Sequence, residues 1–159
     1  MPNIPVPTRP RQMLQRRAFA IVASQYNQEY VKGLVDHATR ELNVISPGVA
    51  VTVFEVPGAF EIPIIVQEIA ARGGIEAIIA LGVIIRGETQ HADLIGEAVT
   101  NALLDAGLRY RIPVIHEVLL LSNEEQAKAR CLDEELNRGT EAARIAVKMA
   151  QAVSDFKNR

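Results

Sequence analysis

Nine consecutive residues, Ala77 to Ile85 (AIIALGVII), carry no polar side chain. The run is about half of the ~20 apolar residues that a membrane span needs. A strand with one solvated face alternates apolar and polar residues. A run apolar on both faces reads instead as a central parallel strand covered by helices, over Ala77–Ile84. Ala18–Ser24 (AFAIVAS) reads as another buried strand, and Ala50–Val56 (AVTVFEV) and Val114–Leu120 read as two further strands. Between the runs, apolar residues recur at helical spacing. Val31, Leu34, Val35, Ala38 and Leu42 share a face over 29–42, before the break at Pro47-Gly48. Phe60–Arg72 reads as a helix with Pro63 in its first turn and Gly73-Gly74 at its end. Over 92–106, Leu94, Ile95, Ala98, Val99, Ala102 and Leu103 share a face, and Gly107 is the expected cap. Ser122 with Glu125 reads as a capping box for a short helix. A last helix runs from about Thr140 to Phe156, with Ile145, Met149, Ala152 and Phe156 in register.

Four β-α units in order imply an α/β chain with one parallel sheet and helices on both faces. Its crossovers are right-handed. With 159 residues and no repeats or linker, residues 18–159 are expected to form one doubly wound domain. Residues 1–17 precede it as an arm. Pro2, Pro5, Pro7 and Pro10 oppose helix and ladder bonding there, so the arm is expected to be extended, on a neighbouring subunit or in solvent. Arg9, Arg11, Arg16 and Arg17, with no acid before residue 29, put +4 on this end and leave −6 for the rest of a chain of net charge −2. That balance gives no global attraction to nucleic acid, and an aromatic content of 4% argues against a base-stacking module. The basic end is followed by no apolar signal segment, and no membrane association is expected. Cys131 is the single cysteine, which forbids an internal disulfide and fits a reducing compartment, so the cytoplasm is expected.

In a doubly wound sheet, ligands bind beyond the carboxyl ends of the strands, where strand order reverses. Those positions read Ser24-Gln25-Tyr26-Asn27, Pro57-Gly58-Ala59-Phe60-Glu61 and Arg86-Gly87-Glu88-Thr89-Gln90-His91, then Ser122-Asn123 leading to Arg130. The first string lacks the acids of a phospho-receiver, the small residues of an FMN phosphate loop and the G-x-G-x-x-G of a dinucleotide fold. Gly82 to Thr89 (GVIIRGET) approaches a P-loop, but Glu88 stands where the phosphate-binding lysine belongs. That argues against nucleoside triphosphate. A Gly turn feeding a helix N-terminus still suits a monophosphate, and it equally suits a plain β-to-α turn. His37, His91 and His116 lie on three different elements with no ligand spacing, so no metal is expected. His37 reads as a surface residue and His116 as an interior histidine of its strand. His91 follows the anion-suited turn, where an imidazole can move protons.

Four strings together resemble one family. Val56-Pro57-Gly58-Ala59-Phe60-Glu61-Ile62-Pro63 is similar to the V-P-G-[AS]-[FWY]-E-[IL]-P signature of the 6,7-dimethyl-8-ribityllumazine synthases. Ala23 to Asn27, Gly82 to His91, and Asn137-Arg138-Gly139 with Glu141-Ala142-Ala143 also match, in order, between about residues 18 and 156. The resemblance implies a flavodoxin-like three-layer α/β/α sandwich around a four-stranded parallel sheet. It implies condensation of 5-amino-6-ribitylamino-2,4(1H,3H)-pyrimidinedione with 3,4-dihydroxy-2-butanone 4-phosphate, without cofactor or metal. It further implies a homo-oligomer, pentameric or an icosahedral shell of pentamers, with active sites between subunits, and riboflavin synthase as a partner. Carried over by position, Tyr26 stacks on the pyrimidine with Asn27 beside it. Ala59, Phe60 and Glu61 form the ribityl pocket, and Val83, Ile84 and Ile85 meet the pyrimidine edge. Glu88 and Thr89 hold the phosphate, completed by Arg130 of the adjoining subunit, and His91 donates and accepts protons.

Three positions depart from the commonest family forms. His116 stands where many members have a Phe that packs on the neighbour's pyrimidine, which adds a polar, titratable edge. Glu134 stands where some have Lys, and Arg138 where many have Lys in the substrate site. Arg138 can pair with Glu134 if that stretch is helical. These departures leave open a second reading, a catalytically weak relative that binds flavins or builds a shell.

Overall fold

The computed structural model describes residues 3–11 and 17–159; Pro2 and Arg16 of the predicted arm lie outside them. The strands are β1 (Ala18–Ser24), β2 (Ala50–Val56), β3 (Ala77–Ile85) and β4 (Val114–Leu121). The helices are α1 (Gln28–Ile45), α2 (Ile62–Arg72), α3 (His91–Tyr110), α4 (Glu124–Cys131) and α5 (Arg138–Lys157), with a 3-10 turn over Ala59–Glu61. All strand pairs are parallel, in the order β2-β1-β3-β4. Alternation along each strand separates two cores. Phe19, Ile21, Ile79 and Leu81 pack with Leu34 and Leu42 of α1 and Ala143 and Val147 of α5. Ala20, Val22, Ile78 and Ala80 pack under Ile62 and Val66 of α2 and Val99 and Leu103 of α3. Each fully buried Ile or Leu contributes about 1.5–3 kcal/mol, so β1 and β3, apolar on both faces, anchor the layers. This is the flavodoxin-like α/β/α sandwich expected.

Four local expectations are corrected. Gly107 does not end α3. The helix continues to Tyr110 and closes on Arg111 in the left-handed region (φ 55), while Ile112 N–H returns to the Gly107 carbonyl at 3.1 Å. Asn123, not Ser122, caps α4: its side chain accepts from Gln126 N–H at 2.9 Å, and the Gln126 amide oxygen accepts from Ser122 N–H at 3.0 Å. On α3, Leu94 is exposed and Ala98 with it, leaving Val99 and Leu103 in the core. The core face of α5 is Ala142, Ala143, Ala146, Val147 and Ala150. Of the larger predicted stripe, Ile145 packs partly buried against this core, while Met149, Ala152 and Phe156 are exposed, Phe156 by 75%. The small face wins because α5 crosses α1 at backbone distance: a side chain at Gly139 would collide with the Leu34 carbonyl.

The described arm residues form no helix or strand and run over their own chain. Arg9 donates to both oxygens of Glu41 (2.7 and 3.1 Å), Arg144 donates to the same carboxylate at 2.8 Å, and Arg144 also donates to the Pro7 carbonyl at 2.6 Å. His37 is another correction, since it is only 8% exposed. Arg40 covers it, with one guanidinium nitrogen 2.8 Å from His37 Nδ1 and 3.0 Å from Glu134. Glu134 therefore does not pair with Arg138. Its stretch is not helical, and Arg138 pairs with Glu141 instead.

Candidate active site

Sheet order reverses between β1 and β3, which are neighbours although β1 leads out to β2 and β3 leads out to β4. Their carboxyl ends open onto a cavity of about 640 Å³. The loops around it are fastened to one another. Gln25 N–H and Tyr26 N–H donate to the carbonyls of Val56 (2.8 Å) and Pro57 (3.1 Å), and Arg86 N–H donates to the Leu121 carbonyl (2.8 Å). These bonds tie the end of β1 to the end of β2 and the end of β3 to the end of β4.

The cavity gathers most of the predicted site. Tyr26, Ala59, Phe60, Glu61, Val83, Ile84, Ile85, Thr89 and His91 all line it. Tyr26 is 73% exposed and Phe60 62% exposed, although rings usually bury. Two open rings on an apolar wall form a surface for a flat heterocycle. His91 is the first residue of α3, and Gln90 at the helix cap makes no side-chain bond to the first turn. The amide N–H groups there remain available, and with the helix dipole they favour an anion. Arg86 donates twice to Asp93 (3.1 and 2.9 Å), closing the 87–91 turn from its base.

Other predicted residues lie elsewhere. Asn27 does not line the cavity. It adopts the left-handed region (φ 57), and its amide donates to the Val83 carbonyl at 2.8 Å, so it ties the β1 end to β3. Glu88 is exposed on the turn. His116, Arg130 and Arg138 do not line their own chain's cavity. His116 lies mid-β4, while Arg130 and Arg138 are buried at the end of α4 and the start of α5. Arg130 donates to Asn3 of the arm at 3.3 Å. Gly58, Gly87, Ala92 and Ile95 also line the cavity and were not picked out from the sequence as site residues. Ile95 was legible: it lies one helical turn beyond His91 and therefore on the same face. Among the described residues, no group of three His, Cys, Asp or Glu side chains could hold a metal ion. No helix among them is long and apolar enough to cross a membrane.

The sequence model of 6,7-dimethyl-8-ribityllumazine synthase matches residues 16–154, which takes in every strand and nearly all of α5. The chain belongs to this family. Relatives carrying that name include those of Burkholderia vietnamiensis and Burkholderia cenocepacia, each 40% identical over 131 residues. The alignments cover 82% of this chain and 75% and 74% of those relatives. The Burkholderia multivorans relative is 39% identical over the same length. The family enzymes are transferases of riboflavin biosynthesis that condense the ribitylamino-pyrimidinedione with the butanone phosphate.

Proposed function

We propose that the cavity beyond β1 and β3 is the active site for this condensation, within a single catalytic domain over 18–159. The observation that carries the reading is the convergence of two open rings, a carboxylate, a histidine and an uncapped helix N-terminus on one cavity. Tyr26 stacks on the pyrimidine, and Ala59 and Phe60 line the ribityl pocket. Glu61 accepts from ribityl hydroxyls, and the Val83–Ile85 backbone meets the pyrimidine edge. Thr89 and the Glu88 turn hold the phosphate with their N–H groups. The site is completed by an adjoining copy in a homo-oligomer, which supplies Arg130 for the phosphate, Arg138 for the substrate site and His116 over the heterocycle. Arg130, Arg138 and His116 lie off their own chain's cavity, which supports this division.

The chemistry suits these parts. The 5-amino group attacks the ketone, and water leaves as the imine forms. Loss of a carbon-bound proton then expels phosphate, and the ribitylamino nitrogen closes the ring with loss of water. His91 serves the proton transfers, a contribution of about 10²–10⁴-fold. Holding both substrates in register contributes further, since oriented reactants reach effective molarities of ~10⁵ M or more. Pentameric or icosahedral assembly, a cytoplasmic location and association with riboflavin synthase are part of the same proposal. Mixing the protein with both substrates and following lumazine absorbance tests it. Product forms if the reading is right, and its absence at high protein concentration refutes it.

A further inference from the structure

β4 is an edge strand, so alternate N–H groups along it face away from β3 without a ladder partner. One of them is covered from within the strand. Val118 N–H donates to Nδ1 of His116 at 3.1 Å, which requires Nδ1 to be unprotonated. The other ring nitrogen, Nε2, lies 2.7 Å from Thr100 Oγ1 on α3. The Thr100 hydroxyl has a single proton, and it is donated to the Gly96 carbonyl at 2.7 Å. Thr100 can therefore only accept from His116, so Nε2 carries the ring proton. The chain Nε2–H to Thr100 to Gly96 carbonyl and the Val118 bond fix one neutral tautomer and one ring plane. Burial of the half-buried ring also lowers its affinity for a proton. Neither ring nitrogen is left over for a ligand, and the polar, titratable edge expected from the sequence is already occupied.

We propose that Thr100 is a positioning residue that holds His116 as a neutral, fixed ring, so that His116 serves the adjoining copy as an uncharged stacking platform for the heterocycle. The inference rests on the reading that His116 covers the neighbour's pyrimidine. What remains accessible of such a ring is its face, which attracts a flat heterocycle without adding charge. Thr100→Val keeps the shape of the side chain and removes the acceptor, which frees the ring to turn and to change tautomer. Thr100→Ser keeps the hydroxyl.

The test combines ¹⁵N-histidine solid-state NMR with equilibrium binding of the ribitylamino-pyrimidinedione. The His116 signals are identified by their loss in His116→Phe. In the wild type, Nε2 should read as protonated and Nδ1 as unprotonated. Thr100→Val should mix the tautomers and weaken pyrimidinedione binding about three- to tenfold. Thr100→Ser should restore both readouts. In a His116→Phe background, Thr100→Val should have no effect on binding, because the residue it positions is gone. An Nδ1–H tautomer in the wild type overturns the proposal. So does a Thr100→Val effect of equal size with and without His116. Because binding is read without turnover, absence of lumazine formation by the wild type would contradict the condensation alone.

Discussion

Glu117 lies on β4 with its side chain in the α5-facing layer, and it is only 7% exposed. Burial pushes its carboxyl from an ordinary value near 4.5 up to about 8; the nearby Glu141 carboxylate adds to the rise and the Arg138 guanidinium opposes it. The folded protein therefore binds a proton that the unfolded chain has released between those two values. Stability is fully present below about 4.5 and is lost as pH rises toward about 8. At about 1.4 kcal/mol per unit, the cost is under 1 kcal/mol near pH 5, about 3 kcal/mol near pH 7 and about 4 kcal/mol near pH 8. Glu117→Gln is close in shape to the protonated acid and does not titrate. Urea unfolding followed by circular dichroism, at fixed protein concentration across this range, measures the gap between variant and wild type. The gap should widen in favour of the Glu117→Gln variant by about 3 kcal/mol from the acid end to the alkaline end. A gap that stays constant with pH, or a variant less stable than the wild type near pH 8, refutes the reasoning.

His91→Ala should lower turnover by about 10²–10⁴-fold while leaving the circular dichroism spectrum and assembly mass unchanged. Gly139→Ala should destabilise the fold by about 1–3 kcal/mol in urea, because the added methyl meets the Leu34 carbonyl where α5 crosses α1. Glu41 is held below the ordinary carboxylate range, first by its hydrogen bonds from Arg9 and then by those from Arg144. Its contribution is present above the ordinary carboxylate value and lost as pH falls below it. Glu41→Gln should therefore flatten the acid limb of the stability profile measured by the same urea titration.

The sheet was legible because a strand buried on both faces needs an unbroken apolar run, and Ala77–Ile85 supplies one. The cavity was legible because its lining comes from short strings placed immediately after strands. The helices were less so. On α5 two apolar stripes compete, and periodicity favours Ile145, Met149 and Phe156. What decides is the close crossing with α1, a tertiary constraint that only small residues satisfy. His37 looked solvated because its sequence neighbours are polar, but those neighbours fold over it as Arg40 reaches Glu134. Local sequence could not reveal Asn27's tie to the Val83 carbonyl or Thr100's hold on His116, since each joins separate elements.

Completion of the site across two copies is most directly tested by mixing two damaged proteins. His91→Ala lacks the proton shuttle, and Arg130→Ala lacks the phosphate partner. When the two are refolded together in equal amounts, an interface can combine an intact cavity from one with an intact Arg130 from the other. Random assembly into a ring restores about a quarter of wild-type lumazine formation if the two residues come from different copies. Activity no greater than the sum of the two separate variants would place both residues in one chain's site and contradict the account.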